Sequence, residues 1–165
     1  MEQITLDAID LRLLELLQTD ASQSNQALAE LVHVSPPTCL RRVKRLRDLG
    51  LIERQVALLS PDKLAAVQGH GLTCIVEITL DRQGAELLDA FEARVAADAA
   101  VQQCWRVSPG PDFILVVATL DMPGYLALAQ RLFNSDSNVR NVKSFFSIKR
   151  SKFEPRMPLA LLPRP

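Results

Sequence analysis

Residues 35–50 read SPPTCLRRVKRLRDLG and contain the clearest signals in the chain for a single helix. Ser35 can cap the helix, and Pro36 suits the first helical position because its missing N–H would have no intrahelical partner there. Gly50 is placed to end the helix in a left-handed conformation. The stretch therefore predicts a helix that begins near Ser35 and ends near Gly50.

The predicted helix has an apolar side and a basic side, since about 3.6 residues make one turn. The apolar side is predicted to pack on the preceding helices and holds Leu40, Val43 and Leu46, with Cys39 beside them. The basic side holds Thr38, Arg41, Arg42 and Arg45, with Lys44 on its flank. A DNA major groove about 12 Å wide admits one helix, and Arg and Lys side chains bind guanine edges or phosphates there. The basic side is therefore a candidate surface for double-stranded DNA.

Two shorter helices are predicted before this one. The first follows two candidate caps, Thr5 and Asp7, and its apolar residues recur at helical spacing: Ile9, Leu13, Leu16 and Leu17. The second covers about residues 25–32 and is capped by Ser24. Three consecutive helices, a short turn before the third and a basic side on the third predict a helix-turn-helix.

The chain is predicted to have four segments and an α+β fold. Residues 1–60 form the N-terminal winged helix-turn-helix, with a small wing or connecting strand over residues 51–59. Residues 61–71 are predicted to be a linker, because the segment is punctuated by Pro61, Gly69 and Gly71. Residues 72–150 show strand and helix patterns in the order of a ferredoxin-like βαββαβ domain. Residues 151–165 form a basic, Pro-containing tail that is expected to be solvated.

The ferredoxin-like domain has one sheet face without helices. Its strands are rich in apolar residues, so we expect that face to be covered, most simply by a second copy of the chain. Trp105 is predicted to pack in that interface or in the core.

Composition limits the classes of protein that fit. The chain has 165 residues, 48% of them hydrophobic, and no apolar run approaches the roughly 20 residues of a membrane helix. The N-terminus has no secretory pattern, which predicts a cytoplasmic protein with no membrane partner. Three scattered cysteines and two isolated histidines predict no disulfide, no metal site and no cofactor.

The net charge of zero conceals two basic segments. Residues 36–54 hold six Arg or Lys and two acids, and residues 140–165 hold seven and one. Residues 61–139 hold five basic and ten acidic residues. Local basic segments in a neutral chain are compatible with a nucleic-acid partner, but charge alone favours a solvated surface and a loose tail.

The N-terminal half resembles the Lrp/AsnC family of bacterial transcription regulators. The resemblance rests on Leu-Asp-x-Ile-Asp at residues 6–10, on Asn25, and on the Ser-Pro run that leads into Cys39, Arg42, Val43, Leu46, Gly50 and Ile52. The second half resembles the same family at VEITL, residues 76–80, then at VQQCWRVS and DFILVVATLDM. The resemblance covers about residues 4–150.

The resemblance implies a sequence-specific, DNA-binding transcriptional regulator. Proteins of the family are homodimers or higher even homo-oligomers such as octamers, and their C-terminal domain assembles the oligomer. That domain usually binds a small effector, most often an amino acid, at an interface between subunits. The implied DNA-binding residues are Ser35, Pro36, Thr38, Arg41, Arg42, Lys44 and Arg45.

The implied effector site combines one turn with one strand residue. Its residues are Ser108, Pro109, Gly110, Pro111, Asp112, Phe113 and Ser144. The family usually has a Gly-Asp-x-Asp-Tyr type of turn, whereas here two prolines remove backbone donors. Amino-acid binding, binding of another ligand, loss of binding and a plain hairpin turn all stay open. Ser144 is equally explained as a polar residue of an exposed strand.

One further departure concerns Thr38. The family commonly has Ser-Pro-Thr before its recognition helix, but here a second proline moves the hydroxyl by one position, about 100° around the axis.

Two other functions fit parts of the sequence. An effector-independent architectural DNA-binding protein would share the N-terminal half. Some haem-pathway decarboxylases share the two-domain architecture, but they need histidines and arginines in the C-terminal cleft. The one histidine of that half is His70, in the predicted linker, and the sequence offers no convincing acid/base pair there. The sequence therefore predicts no enzyme and no catalytic residues.

Overall fold

The computed structural model describes residues 4–69 and 71–159. Within them the chain forms two compact units, one from residues 4–58 and 152–159 and the other from residues 59–69 and 71–151. His70 of the predicted linker and residues 160–165 of the predicted tail lie outside the described residues, as do residues 1–3.

The first unit contains the three helices that the sequence predicts. They are α1 (Ala8–Thr19), α2 (Asn25–Leu31) and α3 (Pro36–Asp48). Their shared core consists of Leu13, Leu17, Leu28, Ala29, Val32, Cys39, Val43 and Leu46. The short turn between α2 and α3 confirms the helix-turn-helix.

The prediction that Leu40 packs inward is wrong, because the Leu40 side chain is 59% exposed. Cys39 takes that place in the core and is fully buried together with Leu46. The spacing explains the difference: residues 39, 43 and 46 follow the four-three repeat of one helix face, whereas residue 40 lies about 100° further round.

Two predictions for residues 51–71 also need correction. Residues 51–59 form no strand, so the described part of the first unit has no β wing. Residues 61–71, predicted to be a linker, contain a helix, α4 (Pro61–Gln68). The Ser60 hydroxyl accepts a hydrogen bond from the Lys63 N–H at 3.4 Å, and Pro61 occupies the first turn. The proline therefore starts a helix here, as Pro36 does in α3.

The second unit is a four-stranded antiparallel sheet with helices on one face. Its strands lie in the order β2, β3, β1, β4. The elements follow the predicted βαββαβ sequence: β1 (Leu72–Leu80), α5 (Ala85–Ala96), β2 (Val101–Arg106), β3 (Phe113–Thr119), α6 (Met122–Ala129) and β4 (Val139–Phe146). A π-helical turn, Gln130–Asn134, extends α6. This order confirms the ferredoxin-like fold.

The core of the second unit lies between the helices and one face of the sheet. Alternate residues of β1 point into it, namely Cys74, Val76, Ile78 and Leu80. The opposite face has no helix, and it leaves Ile75, Trp105 and Phe145 exposed by 43%, 59% and 52%. The sheet therefore presents an apolar surface that a single chain does not cover.

The tail contacts the first unit, although the sequence predicts a solvated segment. The Gln18 side-chain amide donates to the Met157 carbonyl at 3.0 Å and accepts from the Met157 N–H at 2.9 Å. One planar amide thus donates one hydrogen bond and accepts another, and the pair fixes the local position of an extended segment on α1.

Among the described residues, none of the helices combines the length and apolar character that a membrane crossing requires.

Candidate nucleic-acid interface and effector turn

The position of α3 is set first by its connection to α2. His33 adopts a left-handed φ of 55°, and the Val34 N–H donates back to the Ala29 carbonyl at 3.0 Å. The Asn25 side chain, at the start of α2, donates to the Pro36 carbonyl at 2.8 Å. One hydrogen bond therefore joins the turn to α2 and another joins α2 to α3, so the N-terminus of α3 is fixed relative to α2.

Both ends of α3 confirm the signals in the sequence. The Ser35 hydroxyl accepts from the Thr38 N–H at 3.4 Å and lies 2.9 Å from the Thr38 hydroxyl. At the other end Gly50 has a φ of 73°, and the Gly50 and Leu51 N–H groups donate to the Arg47 and Leu46 carbonyls. This pair of hydrogen bonds is a Schellman motif, which favours Gly at the left-handed position.

Asp10 links α1 to α3. It is the third residue of α1 and forms a reciprocal capping box with Asp7. Its side chain is only 2% exposed, and its two oxygens accept hydrogen bonds from Arg42 at 2.8 Å and from Arg45 at 3.0 Å. A buried carboxylate is stable only where such partners compensate for lost hydration. Asp10 therefore requires both arginines to stay close to α1.

The two arginines have further partners on the segment that leads into α1. Arg42 also donates to Asp7 at 2.7 Å, and Arg45 donates to the Thr5 carbonyl at 2.9 Å. Burial raises the pKa of Asp7, but hydrogen bonds from the Asp10 N–H and from Arg42 outweigh burial and hold that pKa below its ordinary value. The Arg42 side chain is 24% exposed and that of Arg45 is 47% exposed. Arg42 in particular acts as a structural cation.

Three further basic residues of α3 are exposed, and one of them, Arg47, donates a hydrogen bond to the Gln55 side chain at 2.9 Å. Arg41 and Lys44 are exposed, and they lie three residues apart on the side away from the core. Within the described ranges neither of them forms an ion pair. Of the four residues predicted for the basic side, the structure thus places Arg41 outward, Thr38 against the Ser35 cap, and Arg42 and Arg45 against α1.

The predicted effector turn connects β2 to β3. Its Ser108–Pro109 peptide bond is cis, and Gly110 has a φ of 127°, which favours glycine. Ser108, Pro109 and Gly110 are exposed. Since Pro109 and Pro111 have no N–H, the backbone donors that this turn can offer a ligand are those of Ser108 and Gly110.

Asp112 and Phe113 have structural contacts. The Asp112 carboxylate accepts from the Leu80 N–H at 2.6 Å, and its own N–H donates to the Ile78 carbonyl at 2.8 Å. These bonds fasten the turn to the end of β1. Phe113 is fully buried and packs on Phe91 with ring centroids 4.9 Å apart. Phe113 is therefore a core residue and presents no surface to a ligand in this chain.

Ser144 is separated from the turn. It lies on β4 opposite Val76 of β1, while β3 pairs with the other edge of β1. Its hydroxyl is hydrogen-bonded to that of Tyr125, a residue of α6 that is only 5% exposed. Within one chain the structure does not bring Ser144 and the turn together. Burial raises the pKa of Tyr125, and sequence patterns gave no sign of its pairing with Ser144.

Within the described ranges, His, Cys, Asp and Glu form no group of three or more that could hold a metal ion.

Two family models match the chain, one for each unit. The AsnC-type helix-turn-helix domain matches residues 6–47, and the Lrp/AsnC ligand binding domain matches residues 73–157. The chain belongs to the Lrp/AsnC family.

Relatives within the Lrp/AsnC family extend over nearly the whole chain. The DNA-binding transcriptional activator DecR of Escherichia coli is 36% identical over 93% of this chain and 99% of its own length. The leucine-responsive regulatory protein of Rhizobium meliloti is 33% identical over 91% of this chain and 94% of its own length. These relatives are transcriptional regulators, which confirms the prediction that the chain is not an enzyme.

Solved structures of Lrp/AsnC proteins share the fold. An AsnC family regulator from Agrobacterium tumefaciens superposes with a TM-score of 0.80 at 29% identity, covering 93% of this chain and 97% of its own. A transcriptional regulator from Neisseria meningitidis, solved in complex with L-Met, superposes with a TM-score of 0.81 at 29% identity, covering 94% of this chain and 98% of its own.

We expect replacement of Asp10 by Asn to lower the free energy of unfolding by about 1–3 kcal/mol, because two arginines lose a buried anion while solvent partly rehydrates them. Urea unfolding at one fixed protein concentration measures the change. Asp48→Asn, on the exposed side of α3, is the matched control. In an Arg42→Gln background, Asp10→Asn should lower the free energy of unfolding by less than it does in the unaltered protein. Equal urea midpoints for Asp10→Asn and Asp48→Asn would contradict a stabilising role for Asp10.

Proposed function

We propose that this Lrp/AsnC protein is a sequence-specific transcriptional regulator whose α3 enters the DNA major groove with Arg41 and Lys44 outward. The observation that supports this most is that the basic residues of α3 have different surroundings. Arg42 and Arg45 are held against Asp10, whereas Arg41 and Lys44 are exposed on the side opposite the core. DNA as the partner implies a cytoplasmic location.

Arg41 and Lys44 have distinct proposed tasks. Arg41 presents a planar guanidinium that can bind a guanine edge in a bidentate manner. Lys44 lies one turn further on and suits a phosphate, because its ammonium group is a compact, flexible point charge. Ser35, Pro36 and Thr38 form the capped N-terminus of the helix, and their proposed part is to set its entry into the groove. Arg42 and Arg45 orient the helix.

We also propose that the protein acts as a homodimer or a higher even oligomer. The sheet face without helices supports this, since Ile75, Trp105 and Phe145 form an apolar surface that a second copy would cover. On the same face Lys143 lies 4.0 Å from Glu77, so opposite charges on neighbouring strands stand next to the apolar residues. A two-fold dimer would present two copies of α3 to a symmetric DNA site.

For the second unit we propose binding of an amino acid or a related metabolite at the turn, at an interface between subunits. The L-Met complex of the Neisseria regulator supports this ligand class. The Ser108 and Gly110 N–H groups are suited to a carboxylate, since backbone donors form strong hydrogen bonds with anions. Asp112 and Phe113 would then support the turn from within the fold, and Ser144 would belong to such a site only as a residue of the other subunit.

The alternative is an effector-independent architectural DNA-binding protein of the same fold. Two observations favour it. Pro109 and Pro111 remove two donors from the turn, and the Asp112 carboxylate already accepts the Leu80 N–H.

DNA retardation with a duplex that covers the region upstream of the protein's own gene tests the proposed DNA interface. Arg41→Gln is expected to weaken binding by about 5-fold or more, as loss of a base contact does. Lys44→Gln is expected to reduce the slope of log affinity against log salt by about one, as loss of a phosphate contact does.

Arg82→Gln removes one exposed charge from the second unit and should leave both quantities unchanged. The proposed interface is wrong if Arg41→Gln and Lys44→Gln bind like the unaltered protein while Arg42→Gln, still stably folded, loses binding.

Calorimetric titration with each of the twenty amino acids tests the effector proposal. We expect heat from one or a few of them. Pro111→Ala restores one backbone N–H and should tighten that binding by about 10-fold, since a hydrogen bond to a charged group contributes about 1.5 kcal/mol or more. Pro123→Ala, in the first turn of α6, is the control and should leave the affinity for the amino acid unchanged. No heat from any amino acid would instead support the architectural alternative.

A further inference from the structure

We propose that Leu40 contacts the 5-methyl group of thymine in the major groove and thereby fixes an A·T pair in the binding site. This inference rests on the proposed DNA-binding role of α3. Its starting observation is the position of the side chain: Leu40 is 59% exposed, adjacent to Arg41 and one turn before Lys44.

Leu40 is not part of the core of the first unit. The core side of α3 is occupied by Cys39, Val43 and Leu46, which are 0%, 6% and 0% exposed. Leu40 is absent from that core and from the partly buried residues that pack against it. A single exposed leucine needs no explanation in itself. Leu40 is distinguished by its place on the proposed DNA-facing helix, beside the exposed Arg41 and Lys44.

The surroundings of Leu40 are apolar toward the helix N-terminus and basic toward the C-terminus. Pro36 and Pro37, which precede it by four and three residues, are both exposed. Residues at these spacings are neighbours on a helix surface. The exposed side of α3 therefore begins with an apolar patch of Pro36, Pro37 and Leu40 and continues with Arg41 and Lys44.

DNA offers one matching group. Among the base edges of the major groove, the thymine methyl is the apolar feature, and the others are hydrogen-bond donors and acceptors. Recognition helices contact bases with their N-terminal residues, and Leu40 is the fifth residue of α3. A leucine placed against guanine or cytosine would remove water from polar edges without replacing its hydrogen bonds. Leu40 therefore favours thymine both by contact and by exclusion.

Deoxyuridine isolates the methyl group, because it keeps every hydrogen-bonding group of thymine. A duplex is first selected from random sequence by the unaltered full-length protein. Each thymine is then replaced singly by deoxyuridine, and affinity is measured by fluorescence anisotropy at one salt concentration. We expect one thymine in each half-site at which loss of the methyl weakens binding about 4-fold, the value for one buried carbon.

Leu40→Ala should bind the thymine and deoxyuridine duplexes equally at that position. Leu40→Gln should do the same and provides an independent variant if the alanine protein is poorly folded. Leu31→Ala removes an exposed leucine from α2, 48% exposed, and should keep the full discrimination.

Two results would overturn the inference. The first is that no thymine shows methyl sensitivity with the unaltered protein. The second is that Leu40→Ala and Leu40→Gln both retain the sensitivity. In either case the selected duplex still supports specific DNA binding. Failure to select any sequence would instead overturn the proposed function, and this inference with it.

Discussion

The carboxylate of Asp10 is buried at the junction of α1 and α3, and the geometry of the first unit depends on it. Its charge cannot be left without partners at 2% exposure, so Arg42 and Arg45 must stay within hydrogen-bonding distance. Both arginines lie on α3, and both reach the same end of α1. The pair of contacts therefore fixes how α3 is rotated about its axis, which decides the residues that it presents to DNA.

This constraint separates positioning from recognition on a single helix. A basic helix with every cation exposed could bind DNA in several rotations, because phosphates attract positive charge without regard to sequence. Here Arg42 and Arg45 are paired with Asp10. Among the described residues this leaves Arg41, Lys44 and Arg47 as the exposed cations of α3 that form no ion pair, next to the exposed Pro36, Pro37 and Leu40. Fewer free cations on α3 allow fewer rotations of the helix on DNA. Leu40, next to Arg41 and Lys44, adds a sequence preference to their electrostatic attraction.

The limits of prediction from sequence follow the same physics. Local signals predicted the ends of α3, because a Ser cap, a first-turn Pro and a left-handed Gly act within a few residues. The same local rules misplaced α4, since Pro61 was interpreted as a break. Long-range pairing was not predictable: Asp10 and Arg42 are 32 residues apart. Nor was the burial of Phe113 against Phe91, or the Tyr125–Ser144 contact, which both depend on the packed sheet.

A crystal structure of the protein bound to its selected DNA duplex tests the central claim most directly. The distance that matters joins Arg42 Nη1 to Asp10 Oδ1, which is 2.8 Å in the structure described above. We predict that it stays within hydrogen-bonding range, about 3.2 Å or less, while Arg41 and Lys44 contact the DNA. An Arg42 guanidinium that leaves Asp10 and binds a base or a phosphate would contradict the assignment of that residue as the cation that orients α3.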